Sequence, residues 1–142
     1  MEISITTVEE LESNPLFEKV VKETMDDRLL YREAIELIKK SQLFSLKIEG
    51  VIIGFYSLDD LENCVEIHFY IYTPYRKHSL YALRRVMESQ ERDIKTSVYG
   101  THFHVVKFLT KKGFKVTDVL MNTLVKHGKT YNVFELYYKQ SN

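Results

Sequence analysis

A chain of 142 residues with 20 Lys plus Arg against 20 Asp plus Glu carries no formal net charge, which excludes a long-range field steering it to nucleic acid or to an anionic membrane. At this length, with 44% hydrophobic residues, one domain over residues 1–142 is expected, burying about two thirds of the surface its unfolded form exposes. The single Cys64 excludes an intrachain disulfide framework, no apolar run reaches the ~18 residues of a membrane span, and Met1-Glu-Ile-Ser-Ile-Thr lacks a secretory leader's basic and apolar regions, so a reducing, cytoplasmic setting is expected.

Ile3 to Thr7 alternates weakly and reads as a short first strand. Asn14-Pro15 reads as a helix N-cap followed by Pro at the first helical position, opening a helix from about Pro15 to Thr24. Asp26 or Asp27 is placed to cap a second helix that carries Leu30, Ala34, Leu37 and Ile38 and ends near Lys40. Leu43 to Glu49 alternates, turns at Glu49-Gly50 and returns as Val51 to Leu58, an antiparallel hairpin. After a turn at Asp59 to Asn63, Val65, Ile67, Phe69 and Ile71 fall on one face of a strand and Glu66, His68, Tyr70 and Tyr72 on the other. From Ser79 the spacing of Leu80, Leu83 and Met87 is helical, and Ile94 to Tyr99 is again strand-like. Thr101 is placed to cap a helix carrying Val105, Phe108 and Leu109 that stops at Gly113. Phe114 onward is strand, and Val119 to Lys126 and Thr130 to Lys139 pair around Gly128. The predicted order is β-α-α-β-β-β-α-β-α-β-β, with no repeat or linker.

The most informative stretch is the passage from strand through Pro74 and the basic run Arg76-Lys77-His78 into a helix at Ser79. Cations at a helix start oppose its dipole and are mildly unfavourable without an anion, and a strand ending against a helix N-terminus offers amides and cations to a pyrophosphate. A solvated turn is the plain alternative. Glu66 is a candidate general base, because a carboxylate partly buried on a cleft face can take a proton from a substrate. Its alternative is an ion-paired glutamate on an outward face. His68, two residues on, shares the face and is able to share the proton. Cys64 with His68, and His102 with His104, lack the spacing of a metal site, so no metal is expected. Among ten tyrosines, Tyr70, Tyr72, Tyr75 and Tyr81 lie near the junction, and Tyr137-Tyr138 offers an edge-strand or homodimer contact.

The element order, the strand-Pro-Arg-helix junction and Lys111-Lys-Gly-Phe114 together resemble the GNAT superfamily of N-acetyltransferases over essentially the whole chain. The resemblance implies an α/β (α+β) fold, a mixed, mostly antiparallel sheet of about seven strands flanked by about four helices. It also implies acetyl-CoA as acyl donor and direct transfer of the acetyl group to a primary amine. In the family the junction reads Gln or Arg, two residues, Gly, one residue, then Gly or Ala. Arg76 suits the first position, while Ser79 and Tyr81 stand where the glycines are expected; a start at Lys77 places Leu80 and Ala82 there instead. A Cβ at such a position restricts φ and pushes the phosphate outward, so Tyr81 must turn away, into the core or over the adenine side. An eroded glycine pair resembles the short members found in phage genomes.

The resemblance further assigns cofactor binding to Tyr70, Ile71, Tyr72, Arg76, Lys77, His78, Ser79, Leu80, Tyr81 and His102, and catalysis to Glu66; His68, by its shared face, is a second catalytic candidate, as partner or as base itself, its alternative being a packed, hydrogen-bonded histidine. Backbone at Ile71, Tyr72 and Thr73 pairs with the pantetheine arm, and an amide near Tyr70 to Tyr72 polarises the thioester carbonyl. His102 stands where the family often has Asn, and Leu109 where it has the Tyr that protonates the departing thiolate; Tyr99, His102 and His104 are the candidate replacements. The acceptor, a small-molecule or peptide amine, is set in the family by segments matching Pro15 to Ser41 and Val119 to Tyr138, and neither nucleic acid nor membrane is an expected partner. The alternative is a GNAT-fold protein without turnover that captures a partner, such as a phage-derived host-interaction or virion component.

Overall fold

The computed structural model describes residues 1–140. In chain order they form β1 (Glu2–Thr6), α1 (Val8–Leu11), α2 (Pro15–Thr24), α3 (Tyr31–Ile38), β2 (Gln42–Ile48), β3 (Val51–Asp60), β4 (Cys64–Ile71), a 3-10 turn (Thr73–His78), α4 (Ser79–Glu88), β5 (Asp93–Tyr99), a second 3-10 turn (Gly100–His102), α5 (Phe103–Lys111), β6 (Lys115–Lys126) and β7 (Lys129–Tyr138). The strands make one mixed sheet in the order β1-β2-β3-β4-β5-β7-β6, with β4–β5 parallel and β1–β2, β2–β3, β5–β7 and β6–β7 antiparallel. Seven strands match the expectation; the described residues hold five α-helices, where about four were expected. By contacts the chain divides into two compact units, residues 1–25, 29–59 and 67–90 forming one, and 26–28, 60–66 and 91 onward the other.

In the first unit, helices α1 to α3 supply the apolar stripe. The one-turn α1 escapes periodicity, but Thr7 caps it by accepting the Glu10 N–H at 3.2 Å, burying Val8 and Leu11. Helix α2 begins where Asn14-Pro15 indicates, with Asn14 Oδ1 accepting the Leu16 N–H at 3.0 Å, and buries Phe17, Val20 and Val21. Helix α3 starts five residues beyond Asp26: neither Asp26 nor Asp27 caps it, and Glu33 instead reaches back to accept the Leu30 N–H at 2.9 Å. Its buried stripe is Ala34, Ile35 and Ile38, whereas Leu30 and Leu37, expected inside, are exposed.

Strand alternation divides the aromatics of β3 and β4 between two faces. On one, Phe55 stacks on Tyr70 at 4.6 Å and meets Phe17 at 5.1 Å, with Tyr72 tilted against it at 6.4 Å. On the other, Tyr56 lies between Phe44 at 5.0 Å and Phe69 at 5.7 Å. Phe55 and Tyr72 are fully buried in the cluster of α1, α2 and α3, and such a ring contributes roughly 1.5–3 kcal/mol on burial. The Tyr72 hydroxyl is buried with no hydrogen-bond partner, and burial raises its pKa to about 12. Gly54 lets β3 approach β4: a Cβ there would lie 2.3 Å from the Tyr70 carbonyl oxygen and 2.9 Å from the Ile71 Cα. Helix α4 buries Ala82, Leu83 and Val86; Leu80, expected on that stripe, is exposed.

In the second unit, Arg92 staples the turn before β4, its guanidinium bonding Asp60 Oδ1 at 2.6 Å, the Cys64 carbonyl at 3.1 Å, and the Leu61 carbonyl. Helix α5 is preceded by the second 3-10 turn, which contains Thr101, so His102 rather than Thr101 is its N-cap. It ends at Gly113 (φ 106°), with the Phe114 N–H donating to the Leu109 carbonyl at 3.0 Å. The β6–β7 hairpin turns on His127 and Gly128, both left-handed. Tyr137 and Tyr138 are not a free edge: the Tyr137 hydroxyl donates to Asp93 at 2.7 Å and Tyr138 packs on Phe114 at 5.2 Å.

Two substitutions test this packing. Gly54→Ala drives a methyl into backbone and should lower the unfolding free energy by about 2 kcal/mol or more. Tyr72→Phe deletes an orphaned buried hydroxyl and should raise it by about 1 kcal/mol. Urea unfolding reads both.

Candidate active site

The junction after β4 is wound more tightly than its sequence suggests. The Tyr72 N–H donates to the Ile53 carbonyl at 2.9 Å, closing the strand, and the Tyr72 carbonyl accepts the Tyr75 N–H at 2.8 Å, opening the 3-10 turn that Pro74 favours. The Ser79 N–H donates to the Arg76 carbonyl. The amides of Tyr72, Tyr75 and Ser79 are thus satisfied inside the fold.

Side chains make the junction's outer surface. Arg76 and Lys77 are exposed and His78 is half-buried, and His78, the α4 N-cap, makes no side-chain capping bond. No acidic residue lies in the first turn of α4 or of the 3-10 turn. Leu80 is 48% and Tyr81 41% exposed, and Tyr81 lies under the Arg84 guanidinium, 5.9 Å from ring centroid to Cζ. Tyr81 thus turns away from the core. This donor set, three basic side chains at the positive end of a ten-residue helix, fits a polyphosphate by charge. Cβ atoms at Ser79 and Tyr81 mean that an anion there would be met by side chains more than by backbone.

One acidic group reaches the junction from outside its own segment. Glu23, in the last turn of α2, accepts the Thr73 hydroxyl at 3.0 and 3.3 Å and pairs with Arg76 at 2.9 Å. Sequence reading missed Glu23; its signal was a carboxylate at the negative end of a helix, where the dipole disfavours it.

The remaining candidates lie along β4 and beyond. Glu66 is half-buried, in register with Lys95, whose ammonium lies 3.9 Å from Glu135. His68 is half-buried in the first unit, Tyr70 is stacked on Phe55, and Ile71 lies against Gly54. In the second unit, burial first and then Asp26 raise the Tyr99 pKa, holding its phenol protonated. The rings of His102 and His104 meet edge-on at 6.0 Å. Leu109 is core. Among the described residues no group of three or more His, Cys, Asp or Glu is disposed to hold a metal, and no helix is long and apolar enough to cross a membrane.

Asp26 and Asp27, freed from capping, clasp the β6–β7 hairpin. Asp26 takes Arg28 bidentately at 2.8 and 2.9 Å and accepts the Arg28 and Val125 N–H groups at 2.8 and 3.0 Å. Asp27 accepts Lys126 Nζ at 2.8 Å and the His127 N–H at 2.6 Å. The bonds to Val125, Lys126 and His127 cross 99 to 100 positions of sequence, which is why local capping logic misassigned both.

No protein-family model matches the sequence, and no curated protein is similar to it at a significant level. Solved structures are similar in fold. A spermidine N-acetyltransferase chimera from Vibrio cholerae and hSSAT aligns with a TM-score of 0.74 at 14% identity, over 99% of this chain and 96% of that one. A GNAT family acetyltransferase from Elizabethkingia anophelis with acetyl-CoA bound aligns at 0.72 and 16%, over 98% and 97%. A ribosomal-protein-alanine N-acetyltransferase from Brucella melitensis aligns at 0.67 and 11%, over 99% and 100%. The chain therefore has the GNAT fold.

The Asp26 clasp generates a pH prediction. The Arg28 guanidinium first, then the Arg28 and Val125 amides, hold the Asp26 carboxyl well below the usual carboxylate range. A depressed folded-state pKa gives stability that is fully present above the unfolded value of about 4 and lost progressively as pH falls from there through the much lower folded value. Asp26→Asn should therefore cost about 1 kcal/mol at pH 6, Arg28 being largely exposed, and the gap to wild type should be narrower at pH 3, where the loss has begun, without yet closing. Thermal unfolding at pH 6 and pH 3 reads the difference.

Proposed function

We propose that this protein is an acetyl-CoA-dependent N-acetyltransferase acting on a primary amine. The observation that carries the reading is the basic junction at the head of α4, where Arg76, Lys77 and His78 stand in a segment without a carboxylate of its own and only Glu23 of α2 reaches Arg76 among the described residues, on the fold shared with acetyltransferases. Acetyl-CoA supplies a thioester whose acyl group is open to attack by an unprotonated amine. Arg76, Lys77 and His78 hold its phosphates, and the hydroxyl of Ser79 adds a donor. Backbone at Tyr70 and Ile71 lies along the pantetheine arm; the Tyr72 amide, bonded to Ile53, is not free for that task. Tyr81, turned onto Arg84, leaves the phosphates room and offers a face to the adenine.

Glu66 takes the proton of the acceptor ammonium, and His68 on the same strand relays it to solvent. Tyr99 or His102 returns a proton to the departing thiolate, an assistance of modest weight because a thiol with a pKa near 8.5 leaves readily. The acceptor class is a cationic amine, small molecule or peptide, met in the cytoplasm. The substitution of both family glycines favours a second reading, a GNAT-fold protein that captures a partner without turnover, as in a phage-derived host-interaction factor.

Isothermal titration with acetyl-CoA decides between them. The proposed enzyme binds it at micromolar affinity, and Arg76→Ala weakens binding at least about tenfold. Glu66→Gln should retain that affinity while acetylation in an amine screen falls by about 10²-fold or more. Absence of binding at millimolar acetyl-CoA would leave partner capture as the function.

A further inference from the structure

The ion pair between Glu23 and Arg76 joins two charges each placed at the wrong end of its helix. Glu23 lies in the last turn of α2, where the helix carbonyls point, and Arg76 precedes the first turn of α4, where the amides point. Each is locally unfavourable, and each offsets the other at 2.9 Å. The Thr73 hydroxyl adds bonds to both Glu23 carboxylate oxygens. Nothing else in the first turn of α4 supplies an anion.

We infer that Glu23 is a placeholder for the cofactor: its carboxylate holds Arg76 in the free protein, and the CoA pyrophosphate replaces it there, so Glu23 tunes cofactor affinity by competition. This rests on the acetyl-CoA reading above. The energetics allow the exchange. Arg76 is 47% and Glu23 33% exposed by side chain, and a pair of that exposure contributes up to about 1 kcal/mol. A pyrophosphate brings more than one negative charge to the same guanidinium and to Lys77 and His78 beside it, with bidentate geometry open to Arg76. The carboxylate is then the weaker of two competing ligands. It still sets a threshold, because the apparent affinity falls by the fraction of protein in which Arg76 is engaged.

The pair also gives Arg76 a defined position before the cofactor arrives. A salt bridge that merely anchored α2 would give a different mutational pattern, since loss of an anchor loosens the junction and weakens cofactor binding. Loss of a competitor strengthens it, and only while Arg76 is present to be competed for.

The test is a double-mutant cycle read by isothermal titration with CoA, using wild type, Glu23→Gln, Arg76→Ala and the double variant. Gln keeps the size of Glu23, and its amide oxygen still accepts the Thr73 hydroxyl. Glu23→Gln should bind CoA about three- to tenfold tighter than wild type, with no gain from the same change in the Arg76→Ala background. Thr73→Val, which leaves both charges in place, should tighten binding about twofold and serves if Glu23→Gln lowers the melting temperature. Equal or weaker binding by Glu23→Gln, with wild type binding CoA normally, overturns the exchange and leaves the enzyme reading standing. An equal gain in both backgrounds also overturns it, reducing Glu23 to a general negative charge. Failure of every variant to bind CoA overturns both.

Discussion

The junction depends on how Tyr72 is held. Its N–H closes β4 onto the Ile53 carbonyl, its own carbonyl begins the next turn by accepting from Tyr75, and its ring is fully buried among α1, α2 and α3. One residue thus ends a strand, starts a helix and anchors both in the core. Gly54 makes this possible, because only a residue without Cβ permits β3 to lie so close to Tyr70 and Ile71. The unpartnered Tyr72 hydroxyl is the local penalty of placing a large aromatic at this pivot.

From that pivot the charges follow. Pro74 and the short 3-10 turn wind the chain into α4 within six residues, bringing Arg76, Lys77 and His78 to the positive end of a helix. Local electrostatics disfavours them there, and Glu23 relieves part of the strain by crossing from the negative end of α2. Two local inconsistencies are thus joined by one partly exposed ion pair. With Cβ atoms at Ser79 and Tyr81, an anion bound there would meet guanidinium and ammonium groups more than backbone amides. Binding here should therefore depend more on charge and ionic strength than a backbone cradle would.

Much of the fold was legible because its signals are local. Asn14-Pro15 announced α2 at its first residue, Glu49-Gly50 gave one hairpin, and Gly113 stopped α5. Alternation along β4 identified the two faces that Phe55 and Tyr56 cover from β3. The errors arose where a distant partner overrode a local rule. Asp26 and Asp27 resemble helix caps, yet Val125, Lys126 and His127 claim their carboxylates, so α3 begins at Tyr31 with Glu33 as its cap. Leu30 and Leu37 carry the right spacing for a core stripe, but the core stripe is rotated to Ala34, Ile35 and Ile38. At the candidate site the basic cluster was readable, whereas Glu23, 53 positions from Arg76, and the internal satisfaction of the junction amides were not. α1 is too short to show a period at all.

The central claim is that the segment from Thr73 to Tyr81 is the seat of a CoA phosphate group. Backbone amide chemical-shift mapping during a CoA titration tests it most directly. The account predicts that the largest perturbations fall on Arg76 through Tyr81, with a second group at Glu23 as its carboxylate leaves Arg76. Saturable perturbations elsewhere that spare the junction, or none at millimolar CoA, would contradict it.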